Sequence, residues 1–417
     1  MDDKRKDSQV KYAVAAFVAV ILFAVIYKYT LNQLRADGVN DLKEHTRWAE
    51  SIYLNSFWTV WRKIPYLFWH LCVKGCIKFF KMPTEAAAAC TQGFFAGFSC
   101  LVNFHLLDRT GKKLTGKEVG VAAALTSGVL GVVMALYVPW FNTYQHEGQF
   151  SINPIFNPTQ TAVKSIGIIC FMLAVDLILT YKGQKQIYFD KIKKTRWLYI
   201  LFSAILLLSV FTKPTFMFML LPAGAVYLLI DLGIALVRKD GSWKKVWGFM
   251  WRIACASIPA VLYLLLEYAI FYLWGGTSGD ASVAIYPFLT AWHIYSPNVP
   301  RSLRLAMAFP VWMVITNWKY FLKSVEGRLA LIGYAVGTME FSFLVEAGSR
   351  LAHLNFSWEM MSGMLLLWVI SAAKLIELTA NPGERKGNAI VVLVGWILLF
   401  VHFYSGLYYI SPGAFII

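Results

Sequence analysis

Residues 64–81 read IPYLFWHLCVKGCIKFFK, and whether this stretch crosses a bilayer decides the side on which every later loop lies. It is apolar enough to suggest a crossing. Lys74, Lys78 and Lys81 recur at helical spacing, however, and draw a polar stripe down one face, the mark of a helix lying along a membrane interface. Around this segment the chain is strongly apolar: 58% of its 417 residues are hydrophobic, 15% are charged and mean hydropathy is +0.55. Apolar runs near the roughly 20 residues that span a hydrocarbon core recur along the whole length. The runs predict spans at about 12–30, 84–107, 119–140, 161–181, 197–212, 215–237, 252–274, 305–320, 328–346, 357–376 and 388–408. The expected fold is therefore an all-α, polytopic bundle of about eleven transmembrane helices. It forms a single transmembrane domain over 1–417, with an outer loop at 31–82 built of amphipathic interfacial helices and no separate soluble domain.

Positive charge selects this arrangement. With 64–81 on the interface, the cytoplasm receives the N-terminus and the loops 108–118, 182–196, 238–252, 319–328 and 374–386, which hold 4, 4, 6, 5, 3 and 3 Lys or Arg. The outer loops 141–160, 275–304 and 347–356 hold 0, 2 and 1. A crossing at 64–81 would reverse that distribution. The expectation is a multi-pass protein of the cell membrane with its N-terminus in the cytoplasm and its C-terminus outside. The first run follows Lys4, Arg5, Lys6 and Lys11 without a small-residue cleavage site and reads as a retained anchor. The net charge of +16 sits in short clusters between apolar runs, which argues for membrane flanks and against nucleic acid. Six cysteines show no CxxC pair and no zinc-type spacing.

This topology gathers polar chemistry on the outer face, including His45, His70, His146, His293, His353, His402 and Glu147. The first outer loop opens GVNDLKEHTRWAESIY (38–53), where Asp41 and His45 at i and i+4 share a helix face, as do Glu44 with Arg47 and Arg47 with Glu50 at i and i+3. Either this is a solvated amphipathic helix, or Asp41 is a general base held just above the membrane. His70 follows within the aromatic cluster of the interfacial helix, where an anchoring role competes with a site role.

A first transmembrane helix, a long outer loop with an acidic residue near its start, interfacial helices and a further bundle resemble the GT-C superfamily of membrane glycosyltransferases. TRWAESIY (46–53) is similar to the RYAE-type continuation of the branch that adds aminoarabinose to lipid A and mannose to proteins. The resemblance implies a sugar donor on a polyprenyl phosphate and inversion at the anomeric carbon. It also implies an acidic residue, here Asp41 with Glu44 as second choice, that takes the acceptor proton or binds the acceptor. The acceptor would be a saccharide, lipid or protein. Asp41 is followed by Leu42 rather than a second acid, so a divalent metal is left as an optional cofactor.

Three further constellations join this reading. GQFSINPIFNPTQTAVK (148–164) has two Asn-Pro steps, which force an extended loop; Asn157 or Thr159 then caps the next helix, whose N-terminus with Lys164 makes an outer anion site, unless this is an ordinary capped start. VEAGSRLAHLNFSWEMMSG (345–363) crowds Glu346, Arg350, His353, Asn355, Trp358 and Glu359 at a helix junction. There Arg350 either binds a phosphate or pairs with Glu346 at i and i+4. Lys213, in SVFTKPTF (209–216), either snorkels or meets a lipid phosphate. AWHIYSPNVPRSLR (291–304) supplies His293, Tyr295, Arg301 and Arg304 in a loop with the length and composition of a mobile lid, and Arg301 and Arg304 join Arg350 and Lys213 as candidate ligands of the donor phosphate.

Asp176, Glu267 and Glu340 are the other acids in apolar sequence, and they define the main rival, a transporter or flippase of lipid-linked saccharide. A polysaccharide polymerase or ligase is the third reading. It shares the lipid donor, but its largest basic outer loop belongs late in the chain, where 275–304 is short and weakly basic.

Overall fold

The computed structural model describes residues 2–37, 40–53, 56–64, 66–137, 150–274, 281–294, 296–382 and 387–411. The helices in chain order are α1 (Asp2–Arg35), α2 (Asp41–Glu50), α3 (Phe57–Trp61), α4 (Leu67–Phe80), α5 (Thr84–Thr115), α6 (Gly120–Leu130), α7 (Pro158–Tyr181), α8 (Thr195–Thr212), α9 (Thr215–Arg238), α10 (Trp243–Tyr268), α11 (Val299–Thr316), α12 (Trp318–Lys323), α13 (Val325–Phe343), α14 (Ser357–Ala380) and α15 (Asn388–Ile410). Strands β1 (Ser282–Ile285) and β2 (Leu344–Ala347) form one short antiparallel ladder. Among the described residues eight helices are long and apolar enough to cross a membrane, namely α1, α5, α7, α8, α9, α10, α14 and α15. This is an all-α helical membrane protein. The spans expected at 119–140, 305–320 and 328–346 fall on α6, α11 and α13, which do not reach that length and hydropathy.

The segment that decides the topology forms α4, whose 14 residues rise about 21 Å at 1.5 Å each, short of a core about 30 Å thick. Its Leu67, Trp69, His70 and Val73 are buried, while Lys78 and Lys81 are exposed. Two ion pairs of one lysine give the same answer from the other end of the bundle. Lys11 Nζ lies 2.8 Å from Asp108 and 3.0 Å from Glu118, so the start of α1 and the end of α5 share one face. One crossing between α1 and α5 would have put them on opposite faces. Arg109 to Asp190 (3.4 Å), Lys113 to Glu326 (3.0 Å) and Lys117 to Asn381 (2.9 Å) bring the loops 182–196, 319–328 and 374–386 to that same end. The N-terminal segment and the loops 108–118, 182–196, 319–328 and 374–386, which the sequence assigned to one side, lie together.

Two departures from the expected spans have physical reasons. The helix begun at Gly120 stops at Leu130, and the chain then runs extended because its backbone finds partners on α15 and α11: Met134 N donates to His402 O (3.1 Å) and Leu136 N to Leu305 O (2.9 Å). Non-helical backbone is tolerated at such depth when protein satisfies it. The last part of 119–140 lies outside the described residues. The span drawn to 346 ends at Phe343, since 344–347 pairs with 282–285 in the register Val283 opposite Glu346.

Helices α13 and α14 cross at backbone contact. A Cβ on Gly337 would sit 2.7 Å from the Glu359 carbonyl, and one on Gly363 would sit 2.7 Å from Gly333 O. Small residues allow such an approach, and this crossing sets the height at which Trp358 and Glu359 enter the bundle. Gly363→Ala is expected to destabilise the protein by about 1–3 kcal/mol through overpacking, read as a lower unfolding midpoint in nanodiscs. Gly224→Ala, where a Cβ meets nothing within 4 Å, should leave it unchanged.

Candidate functional site

Helix α7 starts at an Asn-Pro step. Asn157 cannot be helical before Pro158 and is extended (φ −97°, ψ 104°), and its side chain turns back to cap the helix, Oδ1 accepting from Gln160 N at 3.0 Å. The same oxygen accepts from Thr159 Oγ1 (3.1 Å) and from Lys213 Nζ (3.1 Å). Its amide Nδ2 donates to Asp41 Oδ2 at 3.1 Å. Asp41 opens α2, whose cap is Asn40, with Lys43 N donating to Asn40 Oδ1 at 2.9 Å. Lys213 occupies the break between α8 and α9 in an extended conformation (φ −175°, ψ 131°), where Pro214 has no N–H to continue the helix. Three elements far apart in sequence thus meet in one chain of side chains, Asp41 to Asn157 to Lys213.

Lys213 is buried, 4.2 Å above the centroid of the Trp358 ring. Burial pushes its ammonium down to about 7, opposed by the negative charges of Asp41, Glu359 and Glu346 and reinforced by Arg350. Those groups define the neighbourhood. Glu346, at the end of the ladder, accepts from Tyr272 OH (2.6 Å) and Asn355 Nδ2 (2.6 Å) and pairs with Arg350 Nε (3.2 Å). Glu359 is buried beside Trp358 and keeps one carboxylate oxygen without a hydrogen-bond partner among the described residues. Backbone strain borders the cluster at Tyr66 (φ 60°) and Leu354 (φ 48°), both in the left-handed region that larger residues avoid.

The inner face of α2 meets α4 through two imidazoles. His45 Nδ1 lies 2.8 Å from His70 Nε2, and His70 Nδ1 lies 3.2 Å from Tyr66 O. The rings stack at 5.0 Å, with Trp48 edge-on to His45 at 4.8 Å. Burial pushes His70 down to about 3, although the Tyr66 carbonyl pulls the other way. Burial, then His70, then the Lys213 ammonium hold His45 well below the ordinary histidine range.

Of the residues singled out in the sequence, Asp41, Asn157, Lys213, Glu346, Arg350 and Asn355 come together, and His45 and His70 adjoin them. Others do not. Glu44 is bound to Arg47 at 2.6 Å in a surface pair. Lys164 is buried: its ammonium bonds Asn153 Oδ1 (2.5 Å) and Ile152 O (3.3 Å), bracing the loop before α7 beside a cavity of about 20 Å³. The anion site expected of it at the α7 start is filled by the cap itself. Arg304 is exposed and donates to Pro300 O (3.2 Å), while the Arg301 backbone N–H is capped by Asn298 (3.0 Å). His353 is exposed on the turn before α14. The expected lid is held rather than free, through the β1–β2 ladder and through Tyr286 N to Phe343 O (2.8 Å) and Leu289 N to Ser342 O (3.1 Å). His146, Glu147 and Tyr295 lie outside the described residues.

Sequence reasoning missed the use of Trp358 as a platform for Lys213 and the approach of Tyr66 and Tyr272. Only the aromatic content near each helix end hinted at them. Among the described residues no group of three or more His, Cys, Asp or Glu is placed to hold a metal ion. An apolar cavity of about 380 Å³, lined by α7 to α10 residues including Ile178, Phe202, Leu228 and Phe249, lies apart from this cluster. No protein-family model matches the sequence, and no curated protein matches it.

The depressed His70 fixes a sign for stability. The folded state favours the neutral ring, so its contribution is complete above the ordinary pKa of about 6.5 and is lost as pH falls toward 3. Unfolding midpoints measured from pH 8 to pH 4 should decline below about 6.5, and His70→Gln should flatten that decline.

Proposed function

We propose that the protein transfers a sugar from a polyprenyl-phosphate donor to an acceptor at the outer face of the cytoplasmic membrane, as a GT-C-type glycosyltransferase of cell-envelope assembly. The reading takes eleven crossings with the N-terminus inside, since the basic loops then meet the positive-inside rule. The observation that carries it is the Asp41, Asn157 and Lys213 chain, which sets a carboxylate and a buried ammonium on one carboxamide at the end of the bundle away from those basic loops. A transferase of this class needs that polarity: an acceptor side that is anionic and a leaving-group side that is cationic.

In this reading Lys213 and Arg350 hold the phosphate. Arg350 leaves its terminal nitrogens to the ligand while Glu346 orients it through Nε, and Trp358 supports Lys213 from below. Asp41 binds the acceptor hydroxyl. Charge that develops on the leaving phosphate is stabilised by fixed cations, which need no reorganisation as the bond breaks. Arg301 and Arg304 sit on the outer start of α11 and contribute to the surrounding surface potential rather than to the phosphate itself.

The transporter reading loses one of its three acids. Asp176 accepts from the backbone N–H groups of Ile187 (2.8 Å), Tyr188 (3.1 Å) and Phe189 (2.7 Å), so its carboxylate is engaged in fixing the loop after α7.

Two outcomes test the proposal. Purified protein in nanodiscs should consume one member of a panel of polyprenyl-phosphate sugars, and Lys213→Met should weaken donor binding by about tenfold or more, the loss of one charge-assisted hydrogen bond to phosphate. Wild-type binding by Lys213→Met would remove Lys213 from the phosphate site. The donor is a phosphodiester of constant charge, so its affinity should be highest below pH 7 and fall as Lys213 deprotonates above it. Affinity that rises with pH would contradict the assignment.

A further inference from the structure

The hydrogen bonds between α2 and α4 determine where the protons sit on both imidazoles. A carbonyl oxygen only accepts, so His70 Nδ1, at 3.2 Å from Tyr66 O, carries the hydrogen. A neutral ring has one N–H, so His70 Nε2 is a lone pair. That lone pair faces His45 Nδ1 at 2.8 Å, and His45 Nδ1 must then be the donor. The consequence lies at the far side of the second ring: His45 Nε2 is a lone pair, and it has no hydrogen-bond partner among the described residues. Two successive bonds, anchored on one backbone carbonyl, present an imidazole base at the outer site.

We propose that His45 Nε2, rather than Asp41, takes the proton of the acceptor hydroxyl, with His70 and the Tyr66 carbonyl as positioning groups that lock the tautomer. The proposal rests on the transferase reading above. The step balances as follows. The hydroxyl oxygen forms a bond to the anomeric carbon, the bond from that carbon to the donor phosphate oxygen breaks, and the electron pair leaves with the polyprenyl phosphate. The hydroxyl proton passes to His45 Nε2 and then to the departing phosphate or to water.

Three observations set His45 above Asp41 for this role. Asp41 already accepts from Asn157 Nδ2, an amide that Lys213 also bonds, so one of its carboxylate oxygens is engaged before any acceptor arrives. His45 lies one helical turn further along the same face of α2 and is half-buried rather than exposed. The groups around its ring are Trp48 on α2, Trp69 and His70 on α4, and Lys213 at the break between α8 and α9. None of these except His70 is a proton acceptor, and burial first, then His70 and the Lys213 ammonium, disfavour the charged form of the resting ring. Arrival of the donor phosphate beside Lys213 offsets that positive field and strengthens the base when it is needed.

The alternative is that the two imidazoles only tie α2 to α4. His45→Asn separates the readings, because its amide keeps a donor toward His70 Nε2 while supplying no basic nitrogen. Turnover of the polyprenyl-phosphate sugar should fall by about 100-fold or more, the usual loss for a general base, with donor affinity and unfolding midpoint retained. Added imidazole should restore turnover to His45→Ala, more effectively for more basic imidazoles. In the full-length protein labelled with 15N-histidine, both rings should show Nδ1 protonated and Nε2 bare.

Wild-type turnover in His45→Asn, or a proton on His45 Nε2 in the resting protein, would overturn the proposal. Absence of wild-type turnover with every donor would overturn the transferase reading and the base role with it. The nitrogen spectra would still decide the tautomer on their own.

Discussion

The carboxamide of Asn157 is the point on which the end of the molecule away from the basic loops depends. Its oxygen caps α7, the most completely buried of the early spans, and accepts Lys213; its nitrogen holds Asp41. A primary amide donates and accepts through two separate atoms, so one side chain can bond an acid and a cation at the same time. An aspartate at 157 would cap the helix and bind Lys213 equally well but would repel Asp41. A serine would cap the helix without spanning the two charges. The Asn-Pro step therefore does two tasks with one residue: it stops the incoming loop from being helical, and it aims the amide between an acid and a base.

Burying Lys213 is costly, because a charged ammonium gives up several kcal/mol of hydration when it leaves water. The structure recovers part of that cost from the Trp358 face, the Asn157 oxygen and the field of Asp41, Glu359 and Glu346. What remains leaves the lysine poised near neutrality, where an anionic ligand has the greatest effect on its charge. Helix α13 takes part without touching it: the glycine crossing at 333, 337 and 363 lets α14 approach closely enough to put Trp358 and Glu359 beneath the ammonium. At the opposite end, Lys11 with Asp108, Lys113 with Glu326 and Lys182 with Asp231 (2.7 Å) fasten the helix ends to one another.

Much of this was legible in the sequence where the cause is local. The Asn157 cap follows from the Asn-Pro-Thr triplet, the shared face of Asp41 and His45 from their spacing, and the short amphipathic α4 from three lysines at helical intervals. Long-range pairing was not legible. Nothing in 281–285 announces a partner at 344–347, and the end of α6 at Leu130 depends on carbonyls of α11 and α15 more than 150 residues away. The partners of Lys164 were not legible because helical spacing gives only a direction around an axis, whereas the buried polar loop at 151–153 supplies the acceptors that hold its ammonium. The meeting of His45 with His70 joins two helices that the sequence described separately.

The most direct test is a structure of the protein with a non-transferable polyprenyl-phosphate sugar bound. The account places the phosphate within hydrogen-bond distance of Lys213 Nζ and the Arg350 guanidinium, with the sugar between them and the α2 face that carries Asp41 and His45. A phosphate bound instead among the basic loops around Lys113 and Lys182, or an occupied site in which Lys213 remains on Asn157 and far from the ligand, would contradict it.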